Sequence, residues 1–446
     1  MHQFRDPIHG FIDVSPDEKK IIDSAPFQRL RHIKQLATTY LVYHGAEHTR
    51  FGHSLGVMHL VTKAYESALA NYKDLHGQEL FDEPEKKWYR QILRLIALTH
   101  DLGHAPFSHA SEALFEDGLG HEDFTKKILC ETEIAEYIKS IGRNFCKANG
   151  LSDKYNITPE LIWLIYGEKN PELDPRYIMP DFKFLKGFMD SELDCDKMDY
   201  LLRDSHYCGV NYGRYDMNRL LSSLNVYKDE TCSIMQLAIN HSGIHALEEF
   251  IIARYFMFIQ VYFHKTRRFL DNLLIKSIAD ILPNRRYPLD INSYLELDDS
   301  AILHRIKENY ETSSHAKKFV DRSIMTCAYD TGTHSDSKDN QTYAFVLREL
   351  RNNLDCELFE DHPYKPAHKI HDIPFYEMYN DESSKGIPII KTHLKHPADI
   401  LSESVLLKSL KDKPINVKRI YVEKCYEEAA KDIVKKFMNT EGESDG

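Results

Sequence analysis

The chain has no Cys-x-x-Cys pair. Its eight cysteines stand at 130, 146, 195, 208, 232, 327, 356 and 425. Scattered in this way through 446 residues, they read as reduced thiols, mostly packed, and not as a disulfide framework. A bilayer-spanning stretch is also lacking. The most apolar run, Phe250 to Phe263, is interrupted by Arg254 and Gln260 and is too short to cross a membrane. The opening Met1-His2-Gln3-Phe4-Arg5-Asp6-Pro7 has no apolar core of the kind export requires, so a cytoplasmic location is expected. Basic charge is not in surplus: 57 Lys and Arg stand against 69 Asp and Glu, a formal net charge of −12. That disfavours sequence-independent nucleic-acid binding and leaves room for a small anionic ligand gripped by local cations. No repeat period is apparent.

Helical periodicity dominates the first two thirds. Ile21, Ile22, Phe27, Leu30, Ile33 and Leu36 recur at spacings of three and four, one buried stripe, with Ser24 and Pro26 marking a helix start. Further helices are expected over His53–Tyr72, Trp88–Leu102 and Leu193–Tyr207. A single long one is expected over Glu248–Ile275, with Arg254 and Tyr262 (i, i+8) on one face. Strand signals are few. Asn225–Leu237 reads as a hairpin with a charged turn, while Ile387–Ile390 and Lys418–Val422 are expected to pair in a small sheet, Pro388 confining the former to an edge. Thr331–Gln341 reads as a mobile polar loop and Met438–Gly446 as a disordered tail. A soft boundary near residue 290 divides a core (1-290) from a C-terminal lobe (291-446).

The chemistry concentrates in three phrases: His48-Thr49-Arg50-Phe51-Gly52-His53, then Thr99-His100-Asp101-Leu102-Gly103-His104, then Asp194-Cys195-Asp196-Lys197. His53, His100, Asp101 and Asp196 form a mixed N/O ligand set for one divalent transition metal: Mn, Fe, Co, Ni or Zn. A lone histidine in a helix is more often an ordinary packed or surface residue, but three segments each carrying a ligand reverse that expectation. Adjacent helical residues point about 100° apart, so His100 and Asp101 can share an ion only near a helix end, which Gly103 and Pro106 mark. His104, His109 and His121, with Glu112, exceed what ligation needs and fit phosphate contact or proton transfer. Arg50, Lys197 and Arg254 add cations for a polyphosphate. Asp196, Tyr200 and Asp204 at i, i+4 and i+8 share a helix face.

Those phrases, preceded by Asp6-Pro7-Ile8-His9-Gly10 and Phe27-Gln28-Arg29-Leu30-Arg31-His32-Ile33-Lys34-Gln35-Leu36, resemble the HD-domain deoxynucleoside triphosphate triphosphohydrolases, in order, from residue 6 to about 275. The resemblance implies a mainly α fold: an HD-domain helical core with a smaller mixed α/β C-terminal lobe, the lobe serving assembly or regulation. It implies cleavage of a dNTP between the 5′-oxygen and the α-phosphorus, releasing deoxynucleoside and triphosphate, with Mg accompanying the triphosphate. By this resemblance His53, His100, Asp101 and Asp196 hold the metal. Arg50, His104, Lys197, Tyr200, Arg254 and Tyr262 contact phosphates or sugar. Gln35 and Asp204 bind the 3′-hydroxyl, while Leu36 and Tyr200 crowd the 2′ side, where a hydroxyl would find neither room nor a partner. His109 is the proton donor to the leaving oxygen, backed by His121 and Glu112. Asp23, Gln28 and Arg31 match an activator site that reads a guanine base between subunits, which implies a nucleotide-activated homo-oligomer, a tetramer. The rival readings are another HD phosphodiesterase or alarmone hydrolase, and a nucleotide-sensing regulatory subunit with slow turnover.

Overall fold

A computed structural model describes residues 1–167, 180–229, 234–370, 386–394 and 396–442. The chain is mainly α. An N-terminal antiparallel hairpin, β1 (His2–Asp6) and β2 (Gly10–Val14), turns at Gly10, whose φ of 76° suits glycine. Helices α1 (Pro16–Ile22) and α2 (Ala25–Arg29) follow, the first opened by a Ser15/Glu18 capping box. The centre is built from α3 (Arg50–His76) and α4 (Glu83–Thr99). Around it lie α5 (His121–Glu131), α6 (Glu133–Asn149), α7 (Pro159–Tyr166), α8 (Pro180–Gly187), α9 (Cys195–Cys208) and α10 (Met217–Ser223). The expected hairpin forms as β3 (Leu224–Asp229) and β4 (Ile234–Asn240), its turn lying outside the described residues.

The expected single helix over Glu248–Ile275 is broken. α11 (Ile244–Met257) runs into a π-turn over Phe258–Tyr262, closed by the Phe263 amide donating to the Phe258 carbonyl at 2.8 Å, and α12 (Lys265–Ile281) starts afresh. The wider turn sets Arg254 and Tyr262 on different partners: Arg254 meets Glu192 and the Tyr262 hydroxyl meets Asp204. Helices α13 (Ile291–Leu295), α14 (Asp299–Glu308) and α15 (Ser314–Val320) follow, α15 packing back against α12.

Beyond them the chain gives β5 (Thr326–Asp330), α16 (Ser337–Asn353), β6 (Phe359–Asp361), β7 (Tyr364–Lys365), β8 (Pro388–Ile390) and β9 (Ala398–Asp399). It ends with α17 (Ile400–Glu403), α18 (Val405–Leu410), β10 (Ile415–Asn416), β11 (Arg419–Val422) and α19 (Glu427–Gly442). Two sheet expectations are corrected here. β8 and β11 do not pair: β11 lies between β5 and β6, while β8 runs parallel to β4 and antiparallel to β9. Pro388 is therefore in an interior strand, tolerated as that strand's first residue, because the β4 pairing uses Ile389 and Ile390. The loop expected over Thr331–Gln341 gives way at Ser337 to α16, nucleated by a capping box between Asp336 and Asp339. The expected C-terminal tail continues α19 as far as Gly442, and residues 443–446 lie outside the described residues.

One large core runs from the N-terminal hairpin to the C-terminal strands. A satellite core of Tyr343, Val346, Leu350, Ile420, Val422 and Ala430 joins α16, β11 and α19. The sheet β3-β4-β8-β9 ties residues on both sides of position 290 together. Among the described residues no helix is long and apolar enough to cross a membrane.

Candidate metal centre and active site

His53 sits on the first turn of α3. His100 caps the C-terminus of α4 with Asp101 just beyond it, and Asp196 lies in the first turn of α9, which Asp194 caps by accepting from the Lys197 amide at 2.8 Å. Three helix ends thus meet, and the helix end expected at the His-Asp pair is there. His53 Nε2 lies 2.8 Å from Asp196 Oδ1 and 3.7 Å from Asp101 Oδ2. His100 Nε2 lies 3.4 Å from Asp101 Oδ1 and 3.7 Å from Asp196 Oδ1.

The far side of each ring fixes which nitrogen faces inward. His53 Nδ1–H donates to Asp199 Oδ2 at 2.8 Å, and His100 Nδ1–H donates to the Ala97 carbonyl at 2.7 Å, so both Nε2 lone pairs point at the carboxylates. Among the described residues His100 Nε2 is buried without a hydrogen-bond partner. An orphaned buried imidazole nitrogen facing two carboxylates is satisfied by a cation, and a two-imidazole, two-carboxylate set fits a divalent transition ion. The electrostatics agree. Burial opposes charge on His53, yet Asp196, Asp199 and Asp101 together push it up to about 10, a measure of how strongly the pocket asks for positive charge. Asp101 is held well below the carboxylate range: burial opposes this, and Arg50, His100 and His104 outweigh it. Asp196 is lowered in the same way by His100 and His53.

Asp199 is fully buried and supports the centre. Besides His53 it accepts from His9 Nε2 at 2.6 Å and from Arg203 Nε and Nη2 at 2.8 and 2.9 Å, while Arg203 Nη1 donates to Asp6 at 2.9 Å. The Asp6-Pro7-Ile8-His9-Gly10 phrase thereby finds its place, since it locks the N-terminal hairpin to the partner of a metal-site histidine. Gly56 makes this possible, because a Cβ there would lie 2.0 Å from Asp199 Oδ1.

Next to the centre His104, His109, Glu112 and His121 gather. His121 Nδ1 is 2.6 Å, His109 Nδ1 3.0 Å and His104 Nδ1 3.8 Å from Glu112 Oε1. Burial raises the Glu112 carboxyl, but His109 and His121 pull it far below its usual value. Arg50 reaches inward: its Nη1 donates to Asp101 Oδ2 at 2.6 Å and its Nε to Ser108 Oγ at 2.7 Å. Phe107 and Ser108, both at positive φ, shape that turn, and the Phe107 amide donates to Asp299 Oδ1 at 2.7 Å.

The remaining expected residues fall into two groups. Asp204 accepts from His48 Nε2 and from the Tyr262 hydroxyl, both at 2.7 Å, and the Tyr262 ring meets Tyr200 edge-on at 6.2 Å. Gln35 Oε1 is buried without a partner among the described residues, and its neighbour Leu36 is buried. Lys197 Nζ bonds Asp194 and the Ser191 carbonyl. Arg254 Nη1 bonds Glu192 Oε2 at 2.6 Å while its buried Nε has no partner among the described residues. Lys365, from β7, was not singled out in the sequence. Its Nζ stands 5.0 Å over the Phe258 ring, which Arg254 also faces at 6.0 Å, and burial together with Arg254, Lys369 and Lys197 lowers it to about 8. Asp23, Gln28 and Arg31 lie apart from the metal centre. Asp23 pairs with Lys19, Arg31 Nε donates to Gln28 Oε1 at 2.8 Å, and the Arg31 guanidinium covers the Phe51 ring at 3.4 Å.

Comparison with known proteins places this geometry. The HD-domain profile matches residues 50–175, and the HD-associated-region profile matches residues 215–444. An uncharacterized protein of Bacillus subtilis (strain 168) is 34% identical over 348 residues, covering 72% of this chain and 70% of that protein. The chain belongs to the HD-domain phosphohydrolase family. This HD-domain protein is also similar to the crystal structure of a hypothetical protein from Aquifex aeolicus, with a TM-score of 0.75 and 30% identity, covering 97% of this chain and 99% of that one. The deoxynucleoside triphosphate triphosphohydrolase SAMHD1 homolog of Dictyostelium discoideum is 31% identical over 334 residues, which cover 72% of this chain and 57% of that protein.

Proposed function

We propose that the protein is a metal-dependent dNTP triphosphohydrolase, cleaving its substrate to deoxynucleoside and triphosphate. The observation that carries the metal-dependent part is the orphaned His100 Nε2 converging with His53 Nε2 on Asp101 and Asp196, each ring held in its tautomer from behind. The dNTP assignment is supported by the likeness to the Dictyostelium triphosphohydrolase and by unmet polar groups nearby: Gln35 Oε1 for a sugar hydroxyl and Arg254 Nε for a phosphate oxygen. When bound at His53, His100, Asp101 and Asp196, a divalent ion supplies a Lewis acid for a phosphoryl oxygen. Lys197, Arg254 and Lys365, set against the carboxylates of Glu192 and Asp194, leave an excess of positive charge for the triphosphate tail. Glu112 accepts the His109 Nδ1–H and so turns His109 Nε2 outward, where it holds a proton for the leaving 5′-oxygen. Leu36 and the Tyr200 ring bound the 2′ side of the sugar, and Gln35 and Asp204 its 3′ side.

Regulation belongs to the same proposal. Asp23, Gln28 and Arg31 offer one acceptor and two donors to a guanine edge at a subunit interface, so that the activator favours a homo-oligomer, a tetramer, assembled through residues 291–446. Chromatography of products after incubation with each dNTP and each NTP tests the reading. Triphosphate and deoxynucleoside are expected from dNTPs only. Monophosphate with pyrophosphate would favour the phosphodiesterase reading, and binding without turnover the sensor. Light scattering with a second nucleotide added tests assembly, and a monomer with unaltered kinetics would remove the regulatory half.

A further inference from the structure

We propose that His48 is a positioning residue for nucleotide recognition: it sets Gln35 and Asp204 relative to each other, and through them makes the site selective for a free 3′-hydroxyl. The inference deepens the proposed function and rests on its assignment of those two residues to the sugar. Gln35 and Asp204 come from distant segments, so something must hold them at a separation that one hydroxyl can bridge.

His48 meets both. Its carbonyl accepts the Gln35 N–H at 3.1 Å, and its ring Nε2 lies 2.7 Å from Asp204 Oδ1. The first contact belongs to a short antiparallel pairing, in which Lys34 opposes Thr49 and the Arg50 amide donates to the Ile33 carbonyl at 3.0 Å. Backbone pairing fixes Gln35 against His48 whatever side chain stands at 48. The second contact needs the imidazole. The His48 and Asp204 side chains are only 3% and 2% exposed, and the His48 ring lies flat on that of Tyr207, centroids 4.6 Å apart and planes 13° from parallel. Tyr207 stands on α9 one turn beyond Asp204, so the stack and the hydrogen bond grip one helix twice. Gly45 permits the approach, because a Cβ there would lie 2.5 Å from the Tyr207 carbonyl oxygen.

The Nε2 that faces the carboxylate carries the proton, which leaves Nδ1 a lone pair, buried and without a partner among the described residues. An unmet buried nitrogen is a cost, and a phenyl ring would stack on Tyr207 without it, so the polar task of this ring is the Asp204 contact. The Tyr262 hydroxyl donates to Asp204 Oδ2, also at 2.7 Å, so each carboxylate oxygen has one fixed partner and keeps capacity for a second. His48 and Tyr262 thus hold the carboxylate from two sides in one rotation. A 3′-hydroxyl finds it already aimed, with the unmet Gln35 Oε1 nearby, whereas a 3′-deoxy sugar leaves buried polar groups unpaired.

The test compares a dNTP with the 2′,3′-dideoxynucleoside triphosphate of the same base on the full chain. Metal-loaded samples are read for kcat/KM and chelator-stripped samples for Kd by calorimetry, so recognition is measured with and without turnover. The wild type should favour the dNTP about 10- to 100-fold in both, the range of a hydrogen bond to a charged group. His48→Phe, which keeps the stack, should bring that ratio close to one by weakening the dNTP far more than the dideoxynucleotide, with metal content unchanged. His48→Asn, whose shorter amide falls at the Nδ1 position, is a second loss variant, and His48→Gln, whose amide N–H reaches toward Asp204, should recover part of the ratio. A merely structural role would weaken both nucleotides alike, and a wild-type ratio retained in folded His48→Phe or His48→Asn would overturn the inference alone. A wild-type ratio near one would overturn it together with the assignment of Gln35 and Asp204 to the 3′ side. A chain that hydrolyses no dNTP yet binds with a His48-dependent ratio would count against the proposed function and leave His48 in its role.

Discussion

Asp199→Asn keeps the side chain's volume and changes what one of its atoms can do. Asp199 Oδ2 accepts the His53 Nδ1–H at 2.8 Å and also receives Arg203 Nε, while Oδ1 takes His9 and Arg203 Nη2. An asparagine has a single acceptor oxygen. If it serves Arg203, its NH2 group faces His53 Nδ1 and drives that ring into the Nε2–H tautomer, with a proton where the lone pair for the ion should be. Loss of such a supporting partner lowers metal affinity about 10- to 100-fold, which is about 1.4 to 2.7 kcal/mol. Stability falls as well, because Arg203 retains only Asp6 as a charged partner in a buried site. Breaking a buried ion pair costs about 3–5 kcal/mol, and the remaining Asp6 and amide oxygen put the loss near the lower figure, about 3 kcal/mol. Chelator competition with Co2+ measures the first effect, and thermal denaturation in excess chelator the second. A folded Asp199→Asn chain that binds Co2+ as tightly as the wild type would refute the idea that Asp199 sets the His53 tautomer.

Gly56→Ala should act through the same residue from the other side: the added methyl would sit 2.0 Å from Asp199 Oδ1 and 2.5 Å from Arg203 Nη2, so a loss of about 3 kcal/mol or more is expected by denaturant unfolding, and a neutral result would contradict the packing described. Asp299 links stability to pH. Burial raises its carboxyl to about 7 from 3.8, against the hydrogen bonds it accepts from the Lys34 and Phe107 amides. The proton is held more tightly in the folded state, so this contribution is complete below about pH 4 and is lost as pH rises through about 7, a change of about 4 kcal/mol. The stability difference between wild type and Asp299→Asn should therefore fall with pH across that window; parallel pH profiles would show the raised carboxyl to be wrong. Lys365→Met should raise KM for a dNTP several-fold and leave metal content untouched, and an unchanged KM would remove Lys365 from the triphosphate site.

The convergence of His53, His100 and Asp196 was the most legible feature of the chain, because these residues sit in long phrases, and Gly103 and Pro106 mark the helix end at the His-Asp pair. The helix end at His100 follows from Gly103 and Pro106, whereas the starts of α3 before His53 and of α9, capped by Asp194 before Asp196, emerge only in the fold. Asp199 was not legible as a supporting residue. A fully buried aspartate three positions after Asp196 looks, in sequence, like any helical acid, and its meaning comes from His53, His9 and Arg203 arriving from distant segments. The π-turn at Phe258–Tyr262 was hidden in a run with neither glycine nor proline; what stabilises it, the Tyr262–Asp204 bond, is tertiary. The first turn of α16 was mistaken for loop because capping residues share the polar composition of loops. The partners of β8 and β11 come from strands that local pattern does not connect: β4 lies about 150 residues before β8.

The most direct test of the account is hydrolysis of a dNTP in H2(18)O by the metal-loaded chain, with a chelator-stripped sample beside it, followed by mass spectrometry and 31P NMR of the products. Water attack at the α-phosphorus predicts inorganic triphosphate carrying one 18O, an unlabelled deoxynucleoside, and no product in the stripped sample until the metal is restored. Label in the nucleoside, release of pyrophosphate or monophosphate instead of triphosphate, or equal turnover without metal would contradict it.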